Sequence, residues 1–205
     1  MFKEDIKTFN EKIDQFSEKK HLCGYDERPI DIERLFKNKI VFLKELISIL
    51  NESNKIDIMG RDLLDIYGLI EFPPFVIDST SKGKKFRFLI LDPDSLACKS
   101  LNISYSDYIN DWLDYYRDPN NRVNAKFIEN FEIRVYNKLP ISFLMIVDTY
   151  LIYSPYWENR RTIDNPYLKI VQSERVAFES CRSHFETVWS SAVPIQEFVK
   201  KYGTK

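Results

Sequence analysis

The chain has 205 residues, 44% apolar and 30% charged, enough to bury one core of ordinary size but too few for two unrelated domains. Lys and Arg number 30 against 31 Asp and Glu, a formal charge of -1; no whole-surface basic field exists, which argues against nucleic acid and against an anionic membrane as partners. With 15% aromatic residues and only 5 glycines, the composition excludes a disordered linker, a collagen-like repeat and a glycine-rich phosphate loop.

The opening MFKEDIKTFN has no apolar core of the kind a secretory signal or transit peptide carries, so a cytoplasmic location is expected. Phe2, Ile6, Phe9, Ile13 and Phe16 follow at alternating spacings of four and three, which predicts a helix with one thin apolar seam. That seam is a docking surface for its own domain, for a protein partner or for a second copy in a homodimer. HLCGYDERP reads as a connector, and a broader apolar face predicts a second helix over about 30–51. Residues 1–54 therefore read as an N-terminal helical extension.

From Lys55 onward short apolar runs alternate with helical stretches, the pattern of an α/β domain with a mixed sheet flanked by helices. IDIM (56–59) is the first strand, and short helices are expected around 63–66 and from Pro73-Pro74 to Gly83. FRFLIL (86–91) is the next strand, closed by Asp92-Pro93, and helical spacing resumes over 95–116 with a dense Tyr/Trp cluster around Trp112. FEIRVY (131–136), SFLMIV (142–147) and YLIY (150–153) follow, the last two as an antiparallel pair around Asp148-Thr149. A weaker strand at 168–171 and a strong helix at about 174–192 complete the domain, which spans 55–192 and leaves 193–205 as a C-terminal tail.

The chemistry available is narrow. His21 and His184 are the two histidines, and Cys23, Cys98 and Cys181 form no CxxC pair, so neither a metal site nor a disulfide framework is expected. The zinc-protease, nucleophile-elbow, Walker and dinucleotide signatures are absent, and no cofactor is expected. The most apolar window, 140–153, is interrupted by Asp148 and too short to span a bilayer, so no membrane partner is expected.

Three segments carry a resemblance. KGKKFRFLILDPDS resembles the turn, strand and Leu-x-Asp-Pro-x-Ser of bacterial phospholipase D-like proteins. FEIRVYNKLPISFLMIVDTYLIYSPY resembles the strands and turn that carry the catalytic motif of that superfamily, and FESCRSHFETVW is similar to the helix after it. The resemblance implies a phospholipase D-like α/β fold as a single repeat over roughly 55–192. The family signature is H-x-K-x-x-x-x-D followed by G-S-x-x-N, in which His attacks phosphorus while Lys and Asn hold the phosphoryl oxygens. With Asp148 at the Asp position, Ile141 stands for the His, Phe143 for the Lys and Pro155-Tyr156 for Gly-Ser, while Asn159 falls at the Asn. The resemblance thus implies the fold without the catalysis.

The ligand-binding candidates are Arg61, Asp92, Ser95, Asp148, Ser154, Asn159, Arg160, Arg161 and His184, at or after predicted strand ends or on the last helix. Most have a plainer role: Arg61 paired with Asp62 or Asp65 on the surface, Asp92 as strand terminator, Ser95 as helix cap, Asp148 as turn former, Asn159 bonded to its own backbone, Arg160 and Arg161 in a solvated loop, and His184 as a hydrogen-bonded histidine beside the apolar face of the last helix. The leading expectation is a noncatalytic binding or regulatory domain sensing a nucleotide or another phosphorylated small molecule, like the sensing parts of bacterial regulators and stress or phage-defence systems. A hydrolase with a non-standard active site and a protein–protein interaction module are the alternatives.

Overall fold

The computed structural model describes residues 32–60, 72–92, 94–100, 129–156, 164–173 and 175–202. Residues 32–205 belong to one compact unit, divided from 1–31. The predicted N-terminal seam, the helix near 63–66 and the whole Tyr/Trp cluster around Trp112 lie outside the described residues.

Among the described residues eight strands form one mixed sheet. In chain order the described elements are β1 (Ile32–Phe36), α1 (Lys39–Glu52), β2 (Lys55–Met59), α2 (Phe72–Ser81), β3 (Lys85–Leu91), α3 (Leu96–Ser100), β4 (Phe131–Tyr136), β5 (Ser142–Val147), β6 (Tyr150–Pro155), β7 (Tyr167–Val171), α4 (Arg175–Ser191), β8 (Val193–Pro194) and α5 (Ile195–Tyr202). The spatial order is β1-β7-β6-β5-β2-β3-β4-β8. Strands β2, β3 and β4 are parallel neighbours, whereas β5, β6 and β7 run antiparallel to their neighbours and β1 and β8 close the two ends.

The central strands are apolar on both faces because helices cover both. On one face Phe42 of α1 stacks on Tyr167 at 4.6 Å and meets Phe143 edge-on at 5.9 Å, with Leu46 and Leu50 buried one and two turns on. On the other face α4 buries Phe178, Phe185, Val188 and Trp189. The strands β2 to β7 and the helices α2 and α4 lie where the periodicity placed them, and Gly83 takes φ +90° just beyond α2.

Both ends of the domain differ from the expectation. The stretch read as the start of a helix at residue 30 is strand β1, and the helix begins only after Asn38, an extended residue whose side chain accepts from the Val41 amide at 3.1 Å. Phe36 belongs to the ladder with Tyr167, and ion pairs Arg34–Glu45 and Lys169–Glu33 fasten the strand to its neighbours. The expected helical extension is thus replaced, over 32–54, by an edge strand and a core helix of the sheet domain. The segment read as a tail pairs with β4 as β8 and continues as α5, which buries Ile195 and Phe198.

Candidate functional site

The parallel strands β2, β3 and β4 all end on the same edge of the sheet, where an α/β fold leaves room for ligands. Gly60 ends β2, Asp92 follows β3 and Asn137 follows β4. Tyr136 ties these ends together: its buried hydroxyl donates to the Gly60 carbonyl at 3.0 Å, and its own carbonyl accepts from the Asp92 amide at 2.7 Å. Burial, with Tyr156 nearby, pushes the Tyr136 phenol well above its ordinary range, so it stays a neutral donor.

Asp92 shapes the turn that follows. Its Oδ1 accepts from the Asp94 amide at 2.8 Å, and its carbonyl accepts from the Ser95 amide at 3.1 Å and the Ser95 hydroxyl at 2.6 Å. The Ser95 Oγ in turn accepts from the Cys98 amide at 3.0 Å, so Ser95 is an N-cap whose hydroxyl is used in both directions. Burial raises the Cys98 thiol pKa, with the charges of Asp92 and Asp94 adding to the effect.

Beside Asp92 lies a groove of about 180 Å³ between β4, β8 and the ends of α4 and α5. Val135, Val193 and Phe198 give it apolar walls, while Asp92, Asn137, Lys138 and Ser191 give it polar ones. The volume is below the roughly 300–1,000 Å³ of a pocket for a drug-sized ligand, so it suits a small ligand or one end of a larger one. Asn137 and Lys138 were not among the residues singled out from the sequence; the signal available was their place in the NKLP turn directly after a strand.

The structure separates the other candidates. Asp148 stands at the opposite, amino edge, about 23 Å from Asp92 by strand rise, where its carboxylate accepts from the amides of Asn54 at 2.8 Å and Lys55 at 2.9 Å. Ser154 is buried on β6 opposite Phe143, at the same edge as Asp92 but several strands away. His184 is exposed in the middle of α4. Arg61, Asn159, Arg160 and Arg161 lie outside the described residues. Of the two positions matched to the family's His and Lys, Ile141 is 65% exposed and Phe143 is packed against Phe42 and Tyr167. Among the described residues no group of three His, Cys, Asp or Glu is placed to hold a metal ion, and no helix is long and apolar enough to cross a membrane.

Under α4 the sheet carries a charged cluster that sequence reading also passed over. Arg87 on β3 donates from Nε and one terminal nitrogen to both oxygens of buried Asp57 at 2.7 and 2.6 Å, and its two terminal nitrogens donate to Glu186 at 3.0 and 2.6 Å. Its guanidinium also lies 5.0 Å from the ring centres of both Phe185 and Trp189. Next to it Arg134 sits 4.6 Å over Trp189 and donates to the Trp189 carbonyl at 3.1 Å, in the last turn of α4. Burial opposes the charge on Arg87, but the bonds to Asp57 and Glu186 outweigh it and raise its pKa further. The cluster bonds helix to sheet.

No family model matches the chain, and comparison with curated proteins finds no match. Among solved structures the chain is similar to TrmBL2, an archaeal chromatin protein described as showing a novel mode of DNA binding, with a TM-score of 0.54 and 13% identity over 94% of this chain. It spans 64% of the length of that chain. A second similar structure is Nuc, a phospholipase D family member from Salmonella typhimurium, with a TM-score of 0.39 and 13% identity over 73% of this chain and 87% of the other. The likeness to TrmBL2 corrects the expectation that nucleic acid is an unlikely partner. A net charge of -1 describes the whole chain and not its local fields, and a protein sharing this fold is a DNA-binding one.

Proposed function

We propose that this α/β domain is a noncatalytic ligand-binding or regulatory domain that takes a nucleotide or another phosphorylated small molecule at the carboxyl edge of β2–β4. The observation that carries the reading is the groove at the strand ends, whose lining combines the polar residues Asp92, Asn137 and Lys138 with the apolar Val135, Val193 and Phe198. Lys138 supplies the cation for a phosphate, and Asn137 a neutral hydrogen-bonding group beside it. The Asp92 carboxylate accepts from a hydroxyl or amino group on the unphosphorylated end. The absence of catalysis follows from the resemblance read residue by residue: Ile141 offers no nucleophile and Phe143 no cation.

The likeness to TrmBL2 favours a second reading, in which the domain belongs to a DNA-associated protein and meets duplex DNA itself. One set of titrations separates the readings. In calorimetry of the full chain against a nucleotide panel, Lys138→Ala should weaken the binding of the best ligand about tenfold or more, a loss of about 1.4 kcal/mol. No binding across the panel sinks the ligand reading. Salt-dependent binding of a fluorescent duplex in its place supports the second one. Turnover of a bound nucleotide would overturn the noncatalytic claim.

A further inference from the structure

We propose that the groove is a coupling site: its ligand clamps the C-terminal segment β8–α5 to the sheet, so that occupancy is read out as the docking of α5. The inference rests on the ligand reading of the groove given above and adds the regulation of that site.

The groove has two walls of different origin. Asp92, Asn137 and Lys138 follow the ends of β3 and β4, whereas Val193 and Phe198 belong to β8 and α5. The space between them exists only while β8–α5 lies against the sheet. A ligand that touches both walls therefore binds the docked state and has no site in the undocked one.

The two walls are held unequally. The strand-end wall belongs to the core: Val135 and Tyr136 are buried, and the Tyr136 carbonyl accepts from the Asp92 amide at 2.7 Å. The other wall has few fastenings. β8 is a two-residue strand that meets β4 through the pairs Val135–Val193 and Arg134–Pro194, and Pro194 has no amide hydrogen to give to the ladder. Of the described side chains of the eight-residue α5, Ile195 and Phe198 are buried while Gln196, Glu197 and Lys200 are exposed. By contrast the 17-residue α4 buries Phe178, Phe185, Val188 and Trp189, and Arg87 and Arg134 bond it to the sheet. A segment with so few buried apolar contacts opens at a lower free energy than the core it rests on.

Linkage sets the size of the effect. Undocking must first release the ligand, so a ligand at about ten times its Kd lowers the undocked population about tenfold. The two halves of the device can be altered separately. Lys138 stands on the strand-end wall and is no part of the docking contact, so its loss removes the ligand and leaves the hinge. Ile195 is buried under α5 and does not line the groove, so shortening it loosens the docking without removing a ligand contact.

The test is hydrogen–deuterium exchange of the full chain by mass spectrometry, alone and with AMP, GMP, CMP or UMP, each at about ten times the Kd found by calorimetry. Without nucleotide, the amides of α5 should exchange at least about tenfold faster than those of α4. Equal protection of the two helices overturns the proposal whatever binds. A bound nucleotide should slow exchange in α5 about tenfold and leave that of β2 unchanged. Binding without this slowing overturns the coupling and leaves the ligand reading standing, whereas binding of none of the four overturns both. Lys138→Ala should keep the ligand-free exchange of α5 and lose the nucleotide effect. Ile195→Ala should speed exchange in α5 and leave β2 to β4 as they were; a loss of protection spread evenly over the sheet would show that α5 opens only with the core and would refute the proposal.

Discussion

Arg87 brings four hydrogen bonds and two ring faces to one side chain, and that density is what makes a charge at this depth tolerable. A guanidinium removed from water is stable only when its donors are met, and here Asp57 on the neighbouring strand and Glu186 on the covering helix meet them. The hydrogen bond to Arg87 holds the Glu186 carboxyl below the usual glutamate range, against an opposing contribution from burial. A lowered folded pKa stabilises the fold fully above the unfolded value, about 4.3, and the contribution is lost as pH falls through the folded value. Glu186 is 46% exposed, so solvent screening keeps the effect to about 1 kcal/mol or less. Urea unfolding of the parent and of Glu186→Gln should therefore show a stability gap at pH 6 that closes toward pH 3; a gap independent of pH would remove Glu186 from the account. These charges were legible one strand at a time, since Asp57, Arg87 and Arg134 each interrupt an apolar run. Their meeting depends on the β2–β3–β4 register, which no local pattern reveals.

At the scale of elements, α2 ends through its own backbone. The Gly83 amide donates to the Thr80 carbonyl at 3.0 Å and the Lys84 amide to the Ser79 carbonyl at 3.1 Å, a closure that requires the positive φ. A Cβ on Gly83 would meet nothing within 4 Å, so the whole cost of Gly83→Ala is backbone strain, about 1–2 kcal/mol. Gly83→Asn should cost less, and thermal melts followed by circular dichroism should rank the three proteins in that order. The glycine was a readable stop signal, as were the alternating runs that became β2 to β7. β1 was not readable, because Ile32, Leu35 and Phe36 fit a helical face as well as a strand, and its partner β7 is remote in the chain. Asn38 was the visible clue, an N-cap in the middle of the supposed helix. Helix α5 was missed because only Ile195 and Phe198 of its described side chains are buried, too sparse a stripe to stand out in an eight-residue segment.

For the whole molecule, sequence reading found the edge of the sheet better than the site on it. Asp92 and Ser154 do reach the carboxyl edge, but Asp148 went to the other one, because a turn between antiparallel strands returns the chain to where β2 begins. There it reaches across 94 residues of sequence to hold the start of β2. The strand order carries a consequence in time. A chain made from its N-terminus exposes β1 first, yet β1 pairs only with β7, and the Glu33–Lys169 contact that fastens it spans 136 residues. Closing a loop of that length is slow relative to the parallel core, whose three strands are available much earlier. Pulse-labelled hydrogen exchange during refolding should show the amides of β2, β3 and β4 protected before those of β1; simultaneous protection would contradict this order. Until β7 arrives, the Ile32–Phe36 segment is a strand without its partner edge, so interruption of synthesis ahead of Tyr167 leaves an adhesive intermediate rather than a smaller soluble domain.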